Sequence, residues 1–264
     1  MSHCAVLSTD LLTHYRRLSQ HTFTIVDVET TGYQPPESRV IEISALKASL
    51  QDGIQHQQTH LINSDVVIPE KIVRFTGISQ PMIETAPTPA DVWKDYLPLL
   101  NTGVLTGHNL EFDYAFIRFE YEQLHIPFSR PASEQLCTVA LSRLMLPDLP
   151  SRRLPDLVRY FGFQVGRSHR AAADTLACWL LAEHLLKEIQ NEDDRALLAR
   201  FAQEWLPLRK AAELLDCSTK MAQARFASAE IEPRVSRRSG VSMYRRGAIE
   251  QLIKQDSGEQ LSFF

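Results

Sequence analysis

The sequence has few of the features that mark secreted, membrane-spanning or disulfide-stabilised proteins. Its 264 residues include only four cysteines, and these have no paired spacing. Such usage is typical of a reducing compartment and gives no zinc signature. No apolar run approaches the length of a transmembrane helix, and the N-terminus has no basic segment followed by an apolar core. We therefore expect a cytoplasmic protein without a membrane partner.

Basic residues are outnumbered over most of the chain. Residues 1–204 contain 18 Lys and Arg against 25 Asp and Glu, a balance of −7. Residues 205–255 contain 10 against 5, a balance of +5, and the last nine residues contribute −2, which gives the formal net charge of −4. An acidic body with a basic appendage favours nucleic-acid binding by the appendage, and the alternative is a basic face that is only solvated.

One apolar run ends in two acids. Residues 23–26 read Phe-Thr-Ile-Val, and residues 27–32 read Asp-Val-Glu-Thr-Thr-Gly. The run predicts a central strand, and because strand side chains alternate, Asp27 and Glu29 project to the same face at its end. Two such carboxylates repel each other, and a hard divalent cation such as Mg²⁺ or Mn²⁺ removes the repulsion. The alternative is a strand that ends in two solvated acids.

The elements around this strand are typical of an α/β domain. Residues 8–20 predict a short amphipathic helix. Strands at 39–48 and 55–62, with an Asp-Gly turn at 52–53, predict an antiparallel meander with the first strand. Glu42 in the second strand is expected to make an edge or helix contact. Further along we expect strands at 103–107 and near 135–138, and helices at 110–124, 139–146 and 154–161. The segment 169–174 then opens a long helix that runs to about residue 190.

Two more acids and a histidine complete a predicted site. Asp113 lies in the first turn of the helix that follows the fourth strand, and Asp174 lies in the first turns of the late helix. Because an open α/β sheet binds its ligand at the carboxyl ends of its strands, adjacent first and fourth strands would bring four carboxylates together. Four carboxylates can hold two divalent ions for in-line displacement at phosphorus. His169 would act as a general base from the preceding loop, and the alternative is a loop histidine without a role.

These segments resemble the three motifs of the DnaQ-like 3′-to-5′ exonucleases. The second motif, at 107–113, reads Gly-His-Asn-Leu-Glu-Phe-Asp, and the third, at 169–174, reads His-Arg-Ala-Ala-Ala-Asp. A histidine five residues before the last aspartate resembles the DEDDh branch. The likeness, which is to the DNA polymerase III epsilon-subunit type, covers about residues 22–190. It implies a ribonuclease H-like α/β fold, a mixed five-stranded sheet flanked by helices.

The resemblance also implies roles for individual residues. Asp27, Glu29, Asp113 and Asp174 would ligate two Mg²⁺ or Mn²⁺ ions, while His169 deprotonates the attacking water. Contacts to the substrate would come from five further residues, which are Thr30, Thr31, Gly77, Ile78 and Asn109. The implied reaction releases nucleoside 5′-monophosphates from single-stranded DNA 3′ ends in proofreading or repair, beside a DNA polymerase in the bacterial cytosol or nucleoid. The alternatives are RNA 3′-end trimming and a non-catalytic scaffold that joins a clamp to DNA.

Residues 205–255 predict a small second domain. A helix follows Trp205, a break at 216–218 precedes a second helix, and arginines around Ser239-Gly240 predict a β wing before a last helix at 246–254. The pattern resembles the winged helix of the excisionase and MerR type, which implies that Arg237 and Arg238 contact the phosphates of duplex DNA. The alternative is a helical module that binds protein.

The remaining segments lie outside these two domains. We expect an N-terminal helix within 1–21, a linker at 191–204 and a tail at 256–264 that begins with a polar linker. The tail ends in Gln-Leu-Ser-Phe-Phe, which resembles the bacterial sliding-clamp binding motif. In that motif the clamp would be bound by Gln260, Leu261, Phe263 and Phe264. The alternative is a tail packed on its own domain.

Overall fold

A mixed sheet of five strands forms the centre of the fold. The computed structural model describes residues 6–236 and 239–261, with side chains as far as residue 256. The strands are β1 Thr22–Thr30, β2 Val40–Ser49, β3 Gly53–Leu61, β4 Val104–Gly107 and β5 Gln135–Cys137. Their order is β3-β2-β1-β4-β5; the first three strands form an antiparallel meander, β4 runs parallel to β1, and β5 runs parallel to β4. The predicted fold class and the adjacency of β1 and β4 are confirmed.

Helices make up much of the rest of the described chain. In chain order they are α1 Ser8–Leu18, α2 Glu70–Thr76, α3 Gln80–Glu84, α4 Pro89–Leu100, α5 Leu110–Gln123, α6 Thr138–Met145, α7 Leu154–Phe161, α8 Ala171–Asn191, α9 Asp194–Phe201, α10 Leu208–Leu214, α11 Thr219–Ser228 and α12 Arg246–Leu261. A short 3₁₀ turn spans Ala132–Glu134. Over the described residues, none of these helices has the length and apolar character needed to cross a membrane.

The two faces of β1 have different partners. Val26 and Val28 point into a core that includes Trp93 of α4 and Phe116 of α5. On the opposite face the ring of Phe23 packs against Trp179 of α8, with ring centroids 5.8 Å apart. Because strand side chains alternate, Asp27 and Glu29 continue this second face, which carries α8. Apolar packing along β1 therefore directs both acids towards the helix that contains Asp174.

The chain divides into two compact units, and the second differs from the predicted division. The first unit comprises 17–141 and 150–188; the second comprises the described parts of 1–16, 142–149 and 189–264. Within the second unit α1 is tied to α12, because the backbone N–H and the hydroxyl of Ser8 both donate to Glu250 at 2.7 Å. The predicted linker at 191–204 is wrong, since it contains α9, whose Leu197 and Phe201 are fully buried.

The second unit contains the predicted helix, turn, helix and hairpin. Helices α10 and α11 pack through small residues and Phe226, whose ring stacks on Tyr244 at 4.1 Å. Three short strands, β6 Trp205–Pro207, β7 Arg234–Val235 and β8 Ser242–Arg245, form a sheet of order β6-β8-β7. Arg237 and Arg238 lie outside the described residues.

The C-terminal helix is longer than predicted. We expected it to end at Lys254 before a polar linker, but α12 continues to Leu261. The sequence 255–261 has no proline, and its one glycine costs a helix only about 1 kcal/mol, so the polar composition does not stop propagation. Gln260 and Leu261 belong to α12 by their backbone, while Phe263 and Phe264 lie outside the described residues.

Candidate active site

Asp113 reaches the acids of β1 through a backbone hydrogen bond. The turn between β4 and α5 places Asn109 at a φ of 79°, a left-handed conformation that asparagine tolerates better than most residues. The helix that follows brings Asp113 Oδ1 to 3.1 Å from the backbone N of Val28, which donates to it. Because that amide lies between Asp27 and Glu29, the third carboxylate is fixed beside the first two.

Asp174 and His169 come to the site together from the start of α8. His169 lies on the preceding loop with a φ of 64°, and its backbone N–H donates to Asp174 Oδ2 at 2.8 Å. Potential ligand atoms of Glu29, His169 and Asp174 all lie within 4.8 Å of one another. Asp27 and Asp113 fall outside this group of three, although their charges act on the same carboxylates.

The four acids are electrostatically strained as a set. Burial, together with the charges of Asp113 and Asp174, raises the pKa of Asp27 well above its ordinary value. Burial also raises the pKa of Glu29 to about 8, with a further contribution from Asp174. For Asp113, burial outweighs the hydrogen bond from Val28 and raises the pKa to about 7. Such carboxylates can all be ionised near neutral pH only if positive charge is supplied.

A divalent cation would supply that charge. The nearby guanidinium of Arg170 lowers the pKa of Glu29 only in part, since burial and the other acids still raise it to about 8. That guanidinium is bonded to Glu42, to which it donates through Nη2 at 2.6 Å and through Nε at 3.2 Å to each carboxylate oxygen. Crowded carboxylate oxygens without a dedicated protein cation are the donors that Mg²⁺ and Mn²⁺ prefer. The residues present therefore fit a divalent metal site.

Comparison with known proteins places this geometry in a family. An exonuclease model of the RNase_T type matches residues 24–181, which is more than half of the chain. The chain belongs to the exonuclease family. The matched region contains Asp27, Glu29, Asp113, His169 and Asp174, so the family assignment and the convergence of these side chains rest on the same part of the molecule.

Individual relatives match about two thirds of this chain, but very different shares of their own length. The epsilon subunit of DNA polymerase III from Aquifex aeolicus is 30% identical over 172 residues, which are 64% of this chain and 81% of that protein. A PolC-type DNA polymerase III from Oceanobacillus iheyensis is 30% identical over 181 residues, 67% of this chain but only 12% of the polymerase.

Solved structures show the same fold. The structure of E. coli exonuclease I in complex with a dA16 oligonucleotide has a TM-score of 0.57 at 20% identity and covers 67% of this chain and 42% of that one. Cell-death related nuclease 4 gives 0.53 at 18% identity, covering 63% and 64% of the two chains. At these identities the likeness concerns the fold alone.

Glu42 holds the start of α8 in this exonuclease domain. Its side chain is only 1% exposed and lies directly across from Glu29 on the neighbouring strand. Besides pairing with Arg170, it accepts the backbone N–H of Ala171 at 2.9 Å. The predicted helix contact is thus present. It fixes Arg170, the last residue of the loop that contains His169, and Ala171, the first residue of α8. A buried acid in an otherwise apolar strand was the sequence signal for such a partner.

We expect the Glu42–Arg170 pair to act as a unit. Arg170→Met leaves a buried carboxylate without its guanidinium beside the acidic cluster, which should cost roughly 1–3 kcal/mol and lower kcat. The double variant Glu42→Gln/Arg170→Met removes the stranded charge and should recover part of both losses. Denaturant midpoints and single-strand digestion rates of the four proteins complete the cycle.

Arg74 provides the matched control for this cycle. Its pair with Glu70 is exposed on both sides, at 72% and 82% of the side chains, so Arg74→Met should change stability by less than about 0.5 kcal/mol. If the losses of Glu42→Gln and Arg170→Met simply add in the double variant, the two side chains act independently and the positioning role is wrong.

His108 is a second positioning residue that the sequence analysis did not single out. Its Nδ1 lies 2.9 Å from the Thr138 hydroxyl, and its Nε2 lies 2.8 Å from the carbonyl oxygen of Arg152. Burial lowers the pKa of His108 to about 4, so the ring is neutral and one of its nitrogens donates. It ties the end of β4 to the start of α6 immediately before Asn109.

The five predicted substrate residues differ in what they can offer. Thr30 and Thr31 already use their hydroxyls in the turn after β1: Thr30 donates to Gly32 O at 2.6 Å, and Thr31 accepts the Arg39 N–H at 3.0 Å. Ile78 is fully buried in a core cluster, so its side chain is not available to a substrate, contrary to the prediction. Asn109 is exposed, and Gly77 ends α2 with a φ of 78°.

An aromatic side chain contacts the predicted base. The ring of Phe75, in the last turn of α2, lies 3.7 Å from that of His169 between centroids, with the planes tilted by 31°. Phe75 is nonetheless 53% exposed, which is unusual for so large an apolar side chain. The contact restricts the imidazole on the side facing α2.

Proposed function

We propose that this chain is a metal-dependent 3′-to-5′ exonuclease that releases nucleoside 5′-monophosphates from single-stranded DNA ends. The convergence of Asp27, Glu29, Asp113 and Asp174 with His169 carries this proposal. Support for DNA as the substrate comes from the relatives, which include an epsilon subunit and PolC-type enzymes of DNA polymerase III. Replication proofreading or repair is the corresponding role.

The protein's own residues have distinct tasks in this reaction. Bound Mg²⁺ or Mn²⁺, two ions in our proposal, would acidify the attacking water and offset the charge that develops on the phosphate. The carboxylates of Asp27, Glu29, Asp113 and Asp174 hold the ions. His169, presented by its loop and backed by Phe75, accepts the proton of the attacking water. Glu42 keeps this loop in place through Arg170.

Digestion of matched 5′-labelled DNA and RNA oligonucleotides by the full chain tests the proposal. With Mg²⁺ or Mn²⁺ we expect stepwise shortening of DNA from the 3′ end, 5′-monophosphate products and no reaction in chelator. RNA-selective shortening would retain the chemistry and contradict the DNA assignment. A folded protein that digests neither strand would favour the non-catalytic scaffold instead.

For the second unit we propose contacts with duplex DNA and, through the tail, a sliding clamp. Support comes from the balance of +5 over residues 205–255 and from Lys220 and Gln223, which are exposed on α11. We expect Lys220→Gln to weaken duplex binding and its salt dependence, and Phe263→Ala/Phe264→Ala to abolish retention on immobilised clamp. Truncation near residue 200 is not a suitable test of duplex binding, because it would also remove Glu250, the hydrogen-bond acceptor of Ser8 in α1.

A further inference from the structure

Arg167 lies at the edge of the candidate active site without an acidic partner. It belongs to the loop between α7 and α8, two residues before His169, and its side chain is exposed. Across the described part of the chain, no carboxylate lies within ion-pairing distance of its guanidinium. Arg170, three residues later, is by contrast committed to Glu42. The loop that carries the predicted base therefore also carries an uncompensated guanidinium.

The guanidinium is placed by a close approach to the backbone of α2. A Cβ at Gly77 would lie 3.3 Å from Arg167 Nη1, tighter than an ordinary contact, and Gly77 has a φ of 78°. Glycine therefore serves both the left-handed backbone and the approach of the arginine. Because Phe75 of the same helix stacks on His169, Arg167 and His169 both lie against the last turn of α2 and the glycine that ends it.

The acidic surroundings of Arg167 indicate a role in binding an anionic substrate. The site contains several buried carboxylates, and residues 1–204 carry a balance of −7, so the polyanionic substrate meets a predominantly acidic body. Bound metal ions offset the acids themselves, but the phosphates upstream of the cleaved bond need their own partners. An arginine fork matches a phosphate in geometry and keeps its charge at any working pH.

We infer that Arg167 binds a backbone phosphate of the DNA strand that enters the active site. This inference rests on the proposed function, and it assigns the residue to substrate binding rather than to metal binding or proton transfer. Contact with a phosphate carries no base information, so the effect is the same for every sequence. A packing role for Arg167 against Gly77 is the competing explanation.

Steady-state kinetics of Arg167→Gln on single-stranded DNA test the inference. We expect KM to rise roughly tenfold, because the variant loses one charge-assisted hydrogen bond to the substrate. The kcat should stay close to wild type, and the change in KM should be the same on different homopolymers. The slope of log(kcat/KM) against log[salt] should become shallower by about 0.7, the value for one phosphate contact on a single strand. Arg167→Lys should keep most of the slope because it keeps the charge.

Lys94→Gln is the matched control. Lys94 is exposed on α4, which packs against Val26 and Val28 and so covers the sheet face opposite the acids. The Lys94→Gln substitution should therefore leave KM and the slope of log(kcat/KM) against log[salt] unchanged. If Arg167→Gln lowers kcat while KM and the slope stay at wild-type values, the packing explanation holds and the inference is wrong. An inactive wild-type protein would instead contradict the proposed function itself.

Discussion

Asp27→Asn is expected to lower kcat by at least about 10³-fold in Mg²⁺, because the variant loses one carboxylate of the proposed metal site and with it several kcal/mol of transition-state stabilisation. The substitution keeps the size of the side chain and the strand that carries it. Val28 can still donate its N–H to Asp113, so the third carboxylate keeps its anchor. Oligonucleotide digestion at saturating Mg²⁺ measures the effect.

The same substitution should stabilise the protein when metal is absent. Burial raises the pKa of Glu29 to about 8 and that of Asp113 to about 7, above the values of about 4 that carboxyls have in an unfolded chain. Folding therefore favours their protonated forms. The resulting stabilisation is complete below about pH 4 and is lost as the pH rises through about 7 to 8. Burial also raises the pKa of Asp27 well above its ordinary value, so the folded protein loses stability at Asp27 in the same way as the pH rises. Asparagine has no such titration, and near the upper end of this range Asp27→Asn should raise Tm by a few degrees.

Asp95→Asn is the control for both effects. Asp95 is exposed on α4, and its replacement should leave activity and metal-free stability unchanged. Addition of Mg²⁺ should then stabilise wild type and the Asp95 variant by mass action, and the Asp27 variant much less. Near-normal digestion by Asp27→Asn would remove Asp27 from the metal site. A lower metal-free Tm near pH 8 would mean that the acids do not repel one another as inferred.

The sequence predicted where several of these side chains lie, because their placement depends on local rules. Alternation along β1 was enough to place Asp27 and Glu29 on one face, and the five-residue spacing was enough to put His169 on a loop rather than in α8. The hairpin signal was enough to place β2 and β3 in an antiparallel meander with β1, while the mixed five-stranded sheet came from the family resemblance. The steps taken from the residues needed only a period or a turn signal.

Contacts between distant segments could not be read in this way. Glu42 and Arg170 are 128 residues apart, and nothing in either neighbourhood identifies the other as its partner. Ile78 was predicted to contact the substrate because it belongs to a segment that resembles a family motif. Its burial, however, depends on Ile41, Ile68 and Ile83 from other segments. The charged stretch before α9 was interpreted as a linker, but Asp193 caps a helix there by accepting from the amides of Arg195 and Ala196.

Replacement of His169 by glycine tests whether this residue is the proton acceptor. The backbone at this position is left-handed, which glycine adopts without strain, and its N–H can still donate to Asp174. We therefore expect His169→Gly to keep the fold and the position of that carboxylate. Its kcat should fall by about 10²- to 10⁴-fold, the range for loss of a general base.

Metal affinity distinguishes the base from a ligand. Ligand atoms of His169, Glu29 and Asp174 lie within 4.8 Å of one another, so the imidazole could in principle coordinate an ion itself. If His169 takes the proton, the Mn²⁺ affinity of His169→Gly, measured by calorimetry, should match wild type, and added imidazole should restore part of kcat. A large loss of Mn²⁺ affinity would make His169 a ligand. Because a carboxylate site loses charge with Asp27→Asn but not with His169→Gly, the two variants together separate metal binding from proton transfer.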